Sequence, residues 1–428
     1  MGGVLVVAGL WNPFDRRPRV CYAYGFSRVV AGEAFAALLD PELYPDARAI
    51  VFVADVFSVW PEAGIFPHVS SYREVVEGLS KVMPRRCEAL APPSICGKVS
   101  FRVFPWWGVR GGWLFDARPQ DAGFAILAEL LEFVADMKPS KIVVVSGGWR
   151  SLPGLDPIIQ RASIAVAAGF SAQAAVEVCT VIAEEPPFPL PRKGQPELDV
   201  VELACERYDP NRLVKSLPSL QPPDDMRPYT TRGRIMPEQR KVLEKGVKEL
   251  EELMLHAATI YAAVVYGLPL LYAYEACGVP EDPLKLLARA AKAVLDAYVD
   301  STTLAKKPVG GTIGHPVTLN YKLLEWLAHV YPAANRRLLP DAGRICEELY
   351  AKGLTLDDIA RILHKLSPHV REDPSTVKPR AVVPEELHPL ADLEASEKTM
   401  DNRFKIPKKL LDALRKKALQ QIMQQGMS

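Results

Sequence analysis

The sequence predicts an α/β protein, with an N-terminal Rossmann-like parallel-sheet domain followed by an all-α C-terminal domain. Three observations lead there. The first 185 residues alternate short Val/Ile-rich runs with longer segments whose apolar residues recur at helical spacing. Residues 186–236 carry Pro186-Pro-Phe-Pro-Leu-Pro191 and Gln221-Pro-Pro-Asp-Asp225, the composition of a linker or extended subdomain. Beyond Met236 the apolar period is helical and no strand-like alternation is evident. The expected division is therefore 1–185, 186–236 and 237–428.

Taken in order, Val4–Gly9, Ala49–Asp55, Val99–Phe104, Lys141–Ser146 and Ala175–Ile182 are short and almost wholly apolar, as strands covered on both faces should be. Between them Ser27–Leu39, Tyr72–Val82, Asp121–Met137 and Pro157–Ala168 read as helices. Such alternation argues for an open parallel sheet, whose ligand site lies beyond the carboxyl ends of its strands. Val200–Arg207 is a candidate extra strand. Helices are then expected over 237–266, 283–298, 318–331, 340–351, 355–366 and 407–424.

Leu253–Tyr274 lacks Asp, Glu, Lys and Arg and is long enough to span a bilayer. His256, Gly267, Pro269 and the charged amphipathic run before it instead predict a buried core helix ending near Gly267-Leu-Pro269. Met1–Leu10 reads as a first strand, without the basic start of a signal peptide. The seven cysteines include no Cys-x-x-Cys pair, so no zinc ribbon is offered. Cys21, Cys179, Cys205 and Cys277 read as buried thiols, and a reducing cytoplasm with no membrane partner is expected. Only Cys87 and Cys96 look placed to oxidise.

The 52 basic and 51 acidic side chains exclude a globally cationic nucleic-acid coat. The balance is uneven, however. Residues 398–428 hold eight Lys/Arg against two Asp/Glu, with Leu410, Leu411, Leu414, Ala418 and Ile422 at helical spacing: a basic amphipathic helix able to meet RNA phosphates or an acidic partner. Trp106, Trp107 and Trp113, lying among Arg102, Arg110 and three glycines, suit either base stacking, a dimer seam or simple packing.

No Gly-x-Gly-x-x-Gly follows the first strand and no Walker-type loop occurs, so a dinucleotide or P-loop site lacks its phosphate cradle and no cofactor or metal is expected. Gly310-Gly-Thr-Ile-Gly-His315 reads as a flexible loop. Two loops at expected strand ends carry more. Trp11-Asn12-Pro13 follows the first strand, and Ser146-Gly147-Gly148-Trp149-Arg150 follows the fourth and leads into a helix. Small residues let backbone N–H groups and a helix start approach an anion, while Trp and Arg can stack on a base.

These two turns, with the alanine-rich Arg161–Ala168 helix, resemble the CRISPR-associated Rossmann-fold (CARF) sensor proteins over about the first 185 residues. The family's Asp-x-Thr-His-Gly falls on Val144, Ser146, Gly147 and Gly148, and its following Asn on Arg150. The resemblance implies a cyclic oligoadenylate bound by Trp11, Asn12, Pro13, Ser146, Gly147, Gly148, Trp149 and Arg150 across the two-fold seam of a homodimer. It also implies a helical HEPN-type ribonuclease domain acting on single-stranded RNA in antiviral defence.

That family's effector uses Arg-x4–6-His, with His and Arg acting on the 2′-hydroxyl and the scissile phosphate. No histidine here has that spacing. His364 follows Arg361 by three positions and His369 by eight, while the C-terminal Arg403 has no histidine after it. Arg403, Arg361 and His364 are the nearest candidates, with His315 and His369 behind them. The sequence thus expects a cyclic-oligoadenylate sensor controlling an RNA-binding or RNA-cleaving helical domain. The alternatives are a catalytically silent nucleotide-binding adaptor and an enzyme that degrades the cyclic ligand.

Overall fold

A computed structural model describes the chain apart from residues 1–2, 11–13, 15–18, 67, 147–153, 172–173, 186–195, 210–219, 280–281, 335–338, 367–377, 379–386 and 426–428. In chain order the first half contains β1 (Val4–Leu10), β2 (Val20–Tyr24), β3 (Ser27–Ala31), β4 (Arg48–Ala54), α1 (Tyr72–Leu90), the single turn α2 (Pro93–Cys96), β5 (Val99–Phe104), β6 (Trp107–Arg110), β7 (Trp113–Asp116), α3 (Pro119–Met137), β8 (Lys141–Val145), α4 (Leu155–Phe170), β9 (Val176–Ala183), β10 (Glu197–Tyr208) and β11 (Tyr229–Thr231). Eight of these strands form one sheet in the order β3-β2-β10-β9-β8-β1-β4-β5. β5, β4, β1, β8 and β9 run parallel to one another, β9–β10 and β2–β3 are antiparallel, and β10–β2 is parallel. The central strands are buried along nearly their whole length, which is why they read as unbroken apolar runs.

The helix starts obey simple capping chemistry. Ser71 accepts from the Glu74 N–H while the Glu74 carboxylate accepts from the Ser70 N–H, closing the start of α1. Pro119 opens α3, where the Asp121 carboxylate accepts the Arg118 N–H at 2.7 Å.

The second half comprises α5 (Pro237–Val265), α6 (Pro269–Gly278), α7 (Pro283–Ser301), β12 (Thr303–Lys306), β13 (Gly311–Gly314), β14 (Val317–Leu319), α8 (Tyr321–Val330), α9 (Ala342–Ala351), α10 (Leu356–Leu366), α11 (Ala391–Glu394), β15 (Glu397–Lys398), β16 (Phe404–Lys405) and α12 (Lys408–Gln425). Between α5 and α6 the chain turns at Gly267 (φ 64°), so the uncharged stretch from Leu253 is two core helices. Among the described residues no helix is long and apolar enough to cross a membrane.

Four expectations change. The C-terminal half is not all α. β12, β13 and β14 lie in it, and β13 pairs in parallel with β7 to give a four-stranded sheet β12-β13-β7-β6 drawn from both halves. The glycine-rich Gly310–His315 segment is therefore largely strand. A Cβ on Gly310 would lie 1.9 Å from the Gly112 carbonyl oxygen, so glycine is required where the two hairpins meet.

Second, the halves are not separately packed. α3 lies against α7 and α8, α4 lies against α8, and one hydrophobic core runs through both halves. Polar links cross the seam as well. Glu129, 5% exposed on α3, is bound by Arg102 at 2.7 Å and by Lys292 of α7; Arg161 of α4 binds Glu325 of α8. Third, Ser27–Leu39 is strand β3 followed by a 3-10 turn at Ala34–Leu39, because Gly25 (φ 58°) folds β2 and β3 into a hairpin. Fourth, Cys179, Cys205 and Cys277 are not thiols. Disulfides join Cys87 to Cys96, Cys179 to Cys205 across the β9–β10 ladder, and Cys277 of α6 to Cys346 of α9. Cys21 alone is free.

Candidate functional site

The sheet order places the carboxyl ends of β1 and β8 side by side. β1 has β4 on one side and β8 on the other, and the chain winds outward from β1 in both directions: β4 then β5, and β8 then β9. The switch point lies between β1 and β8, in register as Ala8 opposite Val145. Ligands of open α/β sheets sit in the crevice outside such a point. The segments 11–13 and 147–153 leave from these neighbouring ends.

Trp11, Asn12, Pro13, Gly147, Gly148, Trp149 and Arg150 lie outside the described residues. Ser146 is described: its N–H donates to the Val181 carbonyl at 2.9 Å and its hydroxyl faces the Asp156 carboxylate at 3.4 Å. Behind it α4 packs so closely on β1 that a Cβ on Gly9 would meet Leu155 at 2.5 Å.

The three tryptophans are mainly structural. Trp106 and Trp113 are buried; Trp106 stacks on Trp107 with centroids 3.7 Å apart, and Trp113 packs on Phe66.

The effector candidates separate. Arg361 and Arg403 belong to one ion-pair chain on the α9–α10 surface, in which Arg361 and Arg344 bind Asp358, and Arg344 and Arg403 bind Glu348. Against the effect of burial, Arg344 and the hydroxyl and N–H of Thr355 hold Asp358 down at about 2, and Arg403 with Arg344 holds Glu348 below its usual range. Arg344 and Arg403 tie different elements together, while Arg361 pairs with Asp358 one turn earlier on its own helix and is largely exposed. His364 is exposed on α10 and takes no part in that ion-pair chain. His369 lies outside the described residues. His315 is a core residue: its Nδ1 contacts the Thr302 hydroxyl at 2.9 Å, its ring stacks on Tyr298 at 4.8 Å, and burial pushes its imidazole down to about 3.

The structure brings together three residues that no sequence spacing singles out. Glu275, on the otherwise uncharged α6, is 1% exposed. One of its oxygens contacts His256 Nδ1 of α5 at 2.6 Å, and the other accepts from Arg415 Nε of α12 at 2.5 Å. Against a carboxylate the Nδ1 position carries the proton, and in the neutral ring this tautomer makes Nε2 the acceptor. His256 is 35% exposed and Arg415 28% exposed, so both reach solvent while the carboxylate that aims them does not. The sequence did hold one signal: an acid inside an apolar ten-residue helix requires a buried cationic or hydrogen-bonding partner.

A deeper polar cluster lies where β4 ends. Asp55 accepts from the Tyr72 hydroxyl at 2.8 Å and the Trp106 N–H at 2.9 Å, and burial pushes its carboxyl up to about 7. Asp121 accepts from Arg232 at 2.5 Å and Leu319 N–H at 2.7 Å, with burial raising it to about 6. These groups tie the sheet to β14 and α7. Among the described residues, one trio of potential metal ligands is close together: Glu177, Cys179 and Cys205. Its two sulfurs are bonded to each other.

Comparison with family models and with curated proteins returns no match for this chain.

Proposed function

We propose that this protein is a nucleotide-controlled ribonuclease, in which the α/β half holds a cyclic oligoadenylate at the β1–β8 switch point and the helical half cleaves single-stranded RNA through His256 and Arg415. The observation that carries this reading is the convergence of His256 and Arg415 on the two oxygens of buried Glu275. A phosphodiester with a neighbouring 2′-hydroxyl needs a base for that hydroxyl and a cation for the phosphate. His256 Nε2 takes the hydroxyl proton, the 2′-oxygen attacks phosphorus, and the P–O5′ bond breaks, the departing 5′-oxygen taking a proton from solvent and leaving a 2′,3′-cyclic phosphate behind. Arg415 Nη groups meet the phosphate oxygens, and Glu275 is the positioning residue that fixes tautomer and guanidinium together. The basic exposed residues Lys408, Lys409 and Lys416 on α12 add attraction for the RNA backbone.

This replaces Arg403, Arg361 and His364 as the effector residues. The sensing half of the proposal rests on the sequence motifs that follow β1 and β8 and on the neighbouring ends of those two strands. It carries with it the homodimer and the role in CRISPR-linked antiviral defence that those motifs suggest.

The test is cleavage of a single-stranded RNA, with a 2′-deoxy strand as control, in the presence and absence of cyclic tetra- and hexa-adenylate. Cleavage of the ribose strand alone, at least a hundredfold slower in His256→Ala and Arg415→Ala, is expected. Cutting that survives both substitutions removes the assignment, and no heat of binding with either cyclic ligand removes the sensor.

A further inference from the structure

The disulfide between Cys277 and Cys346 sits two residues from Glu275, and its position in the fold links two elements of the cluster, α6 and the start of α12. Cys277 lies at the end of α6, the helix that carries Glu275; Cys346 lies on α9. On the same helix, Glu348 accepts from Arg403 Nη1 at 2.7 Å, and the Tyr350 carbonyl accepts from Lys405 Nζ at 3.2 Å. Just beyond α9, Leu354 exchanges backbone hydrogen bonds with Phe404. Arg403, Phe404 and Lys405 lead directly into α12, which carries Arg415. The return contact is also there: the Tyr274 hydroxyl, next to Glu275, accepts the Ile406 N–H at 3.3 Å. The sulfur bridge therefore joins the helix holding Glu275 to the helix that anchors the start of α12. Cys277 is buried, but Cys346 is half-buried and offers a sulfur to an attacking thiolate.

We propose that the Cys277–Cys346 disulfide is a redox switch for the His256–Glu275–Arg415 cluster: bonded, it clamps α6 and α12 in the geometry that aims His256 and Arg415, and reduced, it releases them. The chemistry is two-electron exchange. A dithiol thiolate attacks the Cys346 sulfur, the Cys277 sulfur leaves and takes a proton, and the second thiol of the reagent closes on the mixed disulfide. Two cysteine thiols and one oxidised dithiol result. What the switch controls rests on the ribonuclease reading; the switch itself does not.

The test uses the full-length chain, oxidised and after dithiothreitol, with Cys277→Ala/Cys346→Ala as the permanently open form. Three readouts are taken: the His256 ring tautomer by long-range nitrogen NMR, amide exchange across residues 408–416, and RNA cleavage. Oxidised protein should show a single Nδ1–H tautomer. Reduced protein and the double variant should show mixed tautomers, exchange at least tenfold faster, and cleavage about tenfold slower. Cys87→Ala/Cys96→Ala and Cys179→Ala/Cys205→Ala should leave the ring signal unchanged.

An identical tautomer and equal exchange with the 277–346 bond open and closed overturn the switch. If the double variant does not fold, a stepwise dithiothreitol titration with mass mapping of the opened pairs gives the same comparison: ring and exchange changes must track opening of 277–346, and changes that track another pair overturn it. Oxidised wild type that never cleaves RNA defeats the ribonuclease reading and leaves the ring and exchange results to decide the switch.

Discussion

Replacing Asp55 by Asn isolates the cost of burying a carboxylate at the end of β4. Asp55 is fully buried and its carboxyl is raised to about 7 by desolvation, against which its bonds from Tyr72 and Trp106 pull only partly. In the unfolded chain the same group titrates near ~3.9. Between those values the folded protein holds more protons than the unfolded one. The associated stability is complete below about pH 4 and is lost as pH rises through the folded value. At ~1.4 kcal/mol per unit the full loss is about 4 kcal/mol, of which roughly 2.5 kcal/mol falls between pH 5 and pH 8.

Asn keeps the shape and an acceptor oxygen but has no proton to lose. His315, whose lowered value gives a contribution of opposite sign between about pH 3 and the unfolded value near ~6.5, is present in both proteins and cancels. So does Asp392, raised to about 7 by burial. Denaturant unfolding of both oxidised proteins at pH 5 and pH 8 should show the wild type losing about 2.5 kcal/mol more than Asp55→Asn, or about 3 °C in thermal midpoint for a chain of this length. Equal pH dependence in the two proteins would refute the reasoning, because it would mean Asp55 is already ionised inside the fold.

Three further outcomes follow from the packing. Gly169→Ala puts a Cβ 2.3 Å from the Ala328 carbonyl oxygen where α4 crosses α8, so unfolding should come about 2–3 kcal/mol sooner by the same denaturant assay. Glu129→Gln leaves Arg102 and Lys292 without their shared counter-charge; because both cations are about a third exposed, a loss of about 2 kcal/mol is expected, not the 3–5 kcal/mol of a fully buried pair. A chain ending at residue 236 should fail to give a cooperative thermal transition, since it strips α7 and α8 from α3 and α4 and β13 from β7; a sharp transition near that of the whole protein would show the first half to be self-sufficient.

The N-terminal strands were legible because burial on both faces leaves a nearly unbroken apolar run in β1, β4 and β8, while β5 and β9 stay Val-rich and are interrupted only by Ser100 and Arg102 and by Glu177 and Thr180. Residues 27–39 were not, because Ser27–Ala31 is too short to separate a period of two from one of 3.6, and the apolar stretch after it is a 3-10 turn. β13 was misread for another reason: its partner β7 lies some two hundred positions earlier, and glycines chosen for close approach look locally like a flexible loop. The cysteine pairs share that difficulty. Cys179 meets Cys205 only because β9 and β10 pair in one register, and Cys277 meets Cys346 only because α6 and α9 pack. At the candidate site, 19 residues separate His256 from Glu275 and 140 separate Glu275 from Arg415. A search for a fixed Arg–His spacing cannot find a carboxylate that collects its partners from three helices.

The shared core also changes how the two halves can communicate. A proline-rich linker between independent bodies would let a sensor move without disturbing an effector. Here α3 and α4 have one side on the sheet and the other on α7 and α8, so no rearrangement at the strand ends can reach the helices without repacking that layer. Close-packed interiors do not deform gradually; they exchange one packing for another. The ion pairs Glu129–Lys292 and Arg161–Glu325 span that layer and are the polar contacts such an exchange must break. On the proposed reading, a signal from the β1–β8 crevice to His256 and Arg415 would cross this layer, and substitutions at those two pairs should change the coupling between added cyclic oligoadenylate and RNA cleavage.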